Sequence, residues 1–173
     1  MHLSRRFAAI VLTLGLSASL VGCGFHLRGS QIANLPEQYR VIDFDLSPEA
    51  EVLRQPLTIY LANFGATIDS AQPNVRLKID NYELRRQLFS GKLTEVQLRL
   101  SASFSLYDSR GEMLTEPRTM IAQRSYQYDI ANVNTERQEE KFLIQVMQED
   151  LAQQIARQLH ANRLPKPERD QAP

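Results

Sequence analysis

One cysteine, three histidines, seven glycines and no tryptophan are what the 173 residues offer to chemistry, and each scarcity removes a class of function. A single thiol makes no internal disulfide, and left unused in an exported protein it would be an odd, reactive group in an oxidising compartment. Only His26 and His160 lie outside the first few residues, and both read as solvated side chains. No serine sits in a nucleophile elbow and no glycine-rich loop is built to cradle phosphate. His, Asp and Glu nowhere take metal-ligand spacing, and the acid-rich run from Glu136 to Glu140 reads as an exposed helix face. Basic and acidic residues balance at twenty each, so the positive field of a nucleic-acid binder is missing. Anion recognition must then come from a local cluster. Repeats and low-complexity stretches are also absent, and what remains is a non-enzymatic protein without metal or cofactor.

What is present begins with an export leader. Arg5 and Arg6 precede an apolar run from Ala8 to Leu20, which is too short to span a bilayer and suits a signal sequence. Leu20-Val21-Gly22-Cys23 resembles the bacterial lipobox. That resemblance implies removal of residues 1–22 and a thioether-linked diacylglycerol on Cys23, with a further acyl chain, palmitate or its like, on the new N-terminus. Several chains matter because one acyl chain alone anchors only marginally. Gly24 follows where resemblance to inner-membrane lipoproteins would require Asp, so the expected location is the outer membrane, facing the periplasm. About 150 residues remain, the commonest size for one domain.

Residues 23–39 show neither helical nor strand period and read as an extended tether. Arg40 to Leu46 alternates as a half-buried strand. Ser47-Pro48 makes an N-cap with proline at the first helical position, and Glu49 and Glu51 suit the positive end of the helix. The helix runs to a left-handed cap at Gly65, with Pro56 predicting a kink in its interior. Val75, Leu77 and Ile79 are followed by Tyr82 and Leu84 on the opposite parity, which predicts a bulge near Asp80-Asn81. From Val96 to Leu106 the alternation is cleanest: one face is core, and the other, from Gln97 to Ser105, is small and polar. A turn at Asp108-Ser109-Arg110-Gly111 leads to a strand through Met120, Tyr126 and Ile130. A long helix from Asn134-Thr135 carries the stripe Phe142, Leu143, Val146, Met147, Leu151, Ile155 and Leu159, and the tail, 165–173, reads as mobile. The expected fold is α+β, in the order β-α-β-β-β-α. It is a two-layer sandwich with both helices on one face of a four-stranded, mostly antiparallel mixed sheet. One domain covers 40–164.

Arg85, Arg86 and Lys92 flank a hairpin turn at Ser90-Gly91, with Leu88 and Phe89 at its tip. Cations beside apolar groups suit a phosphorylated lipid head, since arginine pairs bidentately with phosphate; a solvated hairpin with ordinary edge charges fits equally. Arg124 shares parity with Met120, Ala122, Tyr126 and Tyr128. It is either a paired structural arginine or an anion contact.

The chain is similar to the LPS-assembly lipoprotein family, LptE. Cys23-Gly24-Phe25-His26-Leu27-Arg28-Gly29 carries the resemblance, with Leu61 to Gly65, Gly91 to Leu98 and Arg124-Ser125-Tyr126 in order behind it. The resemblance implies a plug in the lumen of the outer-membrane β-barrel LptD, one to one. Such a plug helps to assemble the barrel and binds lipopolysaccharide during its delivery to the outer leaflet. Arg85, Arg86, Lys92 and Arg124 are the candidate contacts to lipopolysaccharide. The other reading of the residues is a periplasm-facing structural adapter of another envelope complex, without a lipid ligand. A hydrolase with an unrecognised site is the third.

Overall fold

The computed structural model describes residues 34–90, 94–128, 133–165 and 167. Strand β1, Val41–Leu46, buries Ile42 and Phe44 by simple alternation. It pairs in parallel with β3, Val75–Ser90, from Ile42 against Val75 to Leu46 against Ile79, as expected of two strands joined through a helix. Strand β4, Thr94–Asp108, and β5, Arg118–Tyr128, follow in antiparallel order. The expected count of four strands is one short. Thr67–Ile68 forms β2, parallel to the outer side of β1, and the sheet runs β2-β1-β3-β4-β5. Two residues are too few to show a period. The chain leaving the helix makes them a strand, because the Thr67 N–H donates to Arg40 O at 2.7 Å and the Asp69 N–H to Ile42 O at 3.0 Å.

The first helix differs from expectation in kind. Ser47 Oγ accepts the Ala50 N–H at 3.3 Å, the cap read from the sequence. Pro48–Leu53 then winds as a 3₁₀ helix, and helix α1 is Arg54–Asn63. Pro56 thus falls in the first turn of α1, where an N–H has no intrahelical acceptor to lose. The expected kink is replaced by a change of helix type just before the proline. Gly65 ends the helix at φ +81°. Its N–H donates to Ala62 O at 2.9 Å, and the Ala66 N–H donates to Leu61 O at 3.0 Å, the paired bonds of a left-handed cap.

Helix α2, Val133–Ala161, lies beside α1 on the same face of the sheet. Met147, Leu151, Ile155 and Leu159 are fully buried, together with Leu57 and Leu61 of α1 and with Leu77, Ile79, Leu98, Leu100 and Leu106 of the sheet. Each such aliphatic side chain contributes about 1.5–3 kcal/mol through burial. His160 was expected in solvent but is half-buried, stacked on Phe64 with ring centroids 4.6 Å apart. The last residues of the expected tether belong to the domain. Glu37–Tyr39 is a 3₁₀ turn, Leu35 and Tyr39 are buried, and the Leu35 N–H donates to Phe64 O at 2.8 Å. The leader, Cys23, His26, Lys92 and the tail from residue 168 lie outside the described residues.

Candidate functional site: an open sheet face and the free edge of a long strand

The site is organised by β3. Its register against β4 shifts between Ile79 and Asn81, the bulge that the parity change predicts. One inserted residue sends Tyr82, Leu84, Arg86 and Leu88 to the helix side and Glu83, Arg85, Gln87 and Phe89 to the other. Tyr82 shows the consequence, since its hydroxyl accepts from Gln148 Nε2 of α2 at 3.0 Å, and burial raises its pKa. The pairing of β1 with β3 ends at Leu46 and Ile79. Beyond that point β3 is an edge of the sheet among the described residues.

The face away from the helices is mostly polar across three strands, with Ile121 and Phe89 as exposed apolar side chains on it. Register places Glu83, Ser101 and Ile121 in one row, Arg85, Arg99 and Gln123 in the next, and Gln87, Gln97 and Ser125 in a third. The Ser103 and Thr119 hydroxyls share a hydrogen bond of 2.8 Å. Among the described residues both helices lie on the opposite face. Ser105 is the exception in this polar row: it is fully buried, and its hydroxyl has no hydrogen-bond partner among the described residues.

Strand alternation separates the arginines that adjacency in sequence placed together. Arg85 stands on the open face with its side chain 71% exposed, paired with Glu83 at 2.8 Å. That guanidinium holds the Glu83 carboxyl below its usual range. Arg86 points to the helix side, where its Nε lies 3.4 Å from Glu140 Oε2 and its Nη2 donates to the Tyr126 hydroxyl at 3.4 Å. Tyr126 in turn donates to Glu140 Oε2 at 2.5 Å. Burial pushes the Tyr126 hydroxyl up and the bond to Glu140 adds to it, while the bond from Arg86 opposes. Arg124, for which two roles stood open, pairs with Asp150 of α2 and donates to Gln123 O at 2.8 Å. It takes the structural role in this conformation. Leu88 and Phe89 are about half exposed, as expected at a tip, and they lie on opposite faces. Arg99 was not singled out from the sequence. Its place beside Arg85 depends on cross-strand register, which alternation alone does not supply. No group of three His, Cys, Asp or Glu among the described residues is placed to hold a metal ion, and no helix there is long and apolar enough to cross a membrane.

The lipopolysaccharide-assembly family LptE matches residues 39–159. A minor lipoprotein from Acinetobacter baumannii of known crystal structure is 45% identical, covering 76% of this chain and 98% of its own, with a TM-score of 0.71. Lipoprotein B from Nitrosomonas europaea shares the fold at 23% identity and a TM-score of 0.65, over 80% of this chain and 92% of its own. The rare lipoprotein B from Shewanella oneidensis shares it at 20% and 0.54, over 70% and 92%. None of the curated proteins matches the sequence.

Proposed function

The chain belongs to the lipopolysaccharide-assembly family LptE, and from that membership we propose that the mature protein is an outer-membrane lipoprotein anchored through lipid on Cys23. It plugs and helps to assemble the β-barrel LptD in a one-to-one complex, and it binds lipopolysaccharide on the way to the outer leaflet. LptE is a non-enzymatic transport family, in keeping with the lack of nucleophile, base and metal-ligand patterns in the sequence.

The observation that supports the plug reading is the open sheet face. Its serine, threonine and glutamine side chains, interspersed with charged residues, offer hydroxyls and amides across three adjacent strands. A barrel lumen is polar, so these groups can hydrogen-bond to it, while Glu83, Arg85 and Arg99 on the same face need charged partners or retained water there. For the lipid ligand, Arg85 is the candidate most open to solvent, and Lys92 follows it in sequence across the turn. Arg85, Arg86 and Arg124 all have carboxylate partners, Glu83, Glu140 and Asp150, and each joins a phosphate by exchanging its partner.

The test is a detergent pull-down of the native lipidated protein from outer membranes, identifying by mass what accompanies it. One large β-barrel at equal stoichiometry is the expected result. Recovery alone, or with periplasmic proteins only, would replace the plug with the adapter reading. Lipopolysaccharide retained by the wild-type protein should fall in Arg85→Asp/Lys92→Asp; unchanged retention removes the tip from the ligand site.

A further inference from the structure

We infer that the free edge of β3, from Glu83 to Ser90, is a slot for one extended segment of the barrel partner, which adds to the sheet as a strand beside β3 and brings carboxylates to Arg85 and Arg86. The inference rests on the plug reading and goes beyond it by naming a contact and its chemistry.

The slot comes from a mismatch of lengths. β1 covers β3 only as far as Ile79, while β4 accompanies β3 to its end, with Ser90 against Thr94. Among the described residues, eight therefore carry an unpaired row of N–H and C=O groups over about 26 Å, at roughly 3.3 Å per residue. Such an edge is a template for an added strand. The helix layer continues above it where β1 does not, because α2 reaches back to Glu140 over Arg86. Leu84 and Leu88 face that layer and remain 39% and 50% exposed, which is unusual for the inward side of a two-layer sheet. Nearby, α1 and α2 part in a groove of about 630 Å³ lined by Val52, Ile59, Ile144 and Gln148. Gln148 links this groove to Tyr82 of β3. A strand in the slot would cover Leu84 and Leu88 and direct its inward side chains toward the groove.

Charge selects the occupant. Arg85 and Arg86 occupy the middle of the edge on its two faces, with Glu83 the one acid of the segment. Pairing with a second copy about the centre would bring four guanidinium groups onto neighbouring rungs, and like charges in such positions are destabilising. A partner strand bearing Asp or Glu at successive positions meets both arginines, taking the places that Glu83 and Glu140 hold in the free protein. Apolar residues beside those acids meet Leu84 and Leu88.

The experiment is amide hydrogen exchange on the free protein and on the protein in its detergent-purified barrel complex. In the free protein the amides of 83–90 that face away from β4 should exchange fast. In the complex they should slow by about tenfold or more, with the amides already bonded to β4 unchanged in order. Leu88→Lys and Arg85→Glu, whose side chains are exposed, should each reduce the barrel recovered several-fold at unchanged melting temperature. A complex whose edge amides exchange as fast as in the free protein overturns the slot and leaves the plug reading standing. Failure to recover any barrel overturns both.

Discussion

Replacing Tyr126 by Phe removes one oxygen from the point where β3, β5 and α2 are tied together. Tyr126 is 5% exposed. Its hydroxyl donates to Glu140 Oε2 at 2.5 Å and accepts from Arg86 at 3.4 Å. A hydrogen bond to a charged group contributes about 1.5–3 kcal/mol when shielded. Glu140 is 27% exposed in its side chain, so water replaces part of the loss and Arg86 remains as a second partner. The expected cost is about 1–2 kcal/mol, which for a domain of this size lowers the melting temperature by roughly 4–7 °C. Denaturant unfolding checks the free energy, and a double-mutant cycle with Glu140→Gln should return a coupling of about 1 kcal/mol. The pH dependence gives an independent reading. The folded pKa of Tyr126 lies above its unfolded value, raised by burial first and by Glu140 second. Between those two values the folded state holds the proton more tightly. This contribution to stability is therefore complete below about pH 10 and is lost as pH rises through the folded value. The wild type should lose stability faster than Tyr126→Phe above pH 10. Equal stability of the two proteins at neutral pH and parallel alkaline limbs would refute the buried network and make the hydroxyl a solvated one.

The remaining predictions concern the two turns that fix the ends of the sheet. Gly65→Ala places a Cβ at φ +81° and 3.0 Å from Asn34 Oδ1, so a loss of about 1–2 kcal/mol is expected in thermal unfolding; an unchanged melting temperature would show that the cap can open without cost. At the β4–β5 turn, the Glu112 N–H is the first cause that holds the Asp108 carboxyl below its usual range. The backbone and side chain of Arg110 add to it. A depressed pKa stabilises the fold above the unfolded value near 3.9 and the gain is lost as pH falls through the folded value. Asp108→Asn should flatten the acid limb of stability there, and an acid limb identical to the wild type would show that the turn does not depend on the charge.

Legibility in the sequence followed burial. β4 is buried on one face along its length and alternates there without a break, so its register side was readable residue by residue. The bulge was readable because apolar residues, Tyr82 and Leu84, continue past it on the other parity, although neither is fully buried. The outer part of β3, Arg85-Arg86-Gln87-Leu88-Phe89-Ser90, is exposed on both faces, and a strand with no buried side has no period to display. Its sequence shows only the flank of a turn, although it is the strand that carries the site. β2 escaped because it is two residues long, and the 3₁₀ segment because Pro48–Leu53 has the apolar spacing of either helix type. Arg86 and Arg124 could be placed on a face from parity. Their partners, Glu140 and Asp150, stand 54 and 26 residues away, and no local pattern names them.

Those pairings explain how a sheet that outgrows its core stays ordered. Beyond Ile79 the sheet has lost β1, and apolar burial on β3 ends with it. The polar side of α2 takes over from there: Glu140 holds Tyr126 and Arg86, Gln148 holds Tyr82, Asp150 holds Arg124, and Gln154 Nε2 donates to Ile121 O at 3.3 Å. These bonds lie three to four helical turns apart from first to last, a span that a flexible ribbon would not keep in line. Apart from the Tyr126 hydroxyl, each is worth little alone when partly exposed. Together they fix three strands in one plane, so the open face and the β3 edge are already shaped before any partner arrives. A surface ordered in advance forfeits less entropy on association. Cutting two of the ties at once should then weaken partner binding more than it lowers the melting temperature, because the hydrophobic core beneath β1 and α1 does not depend on them.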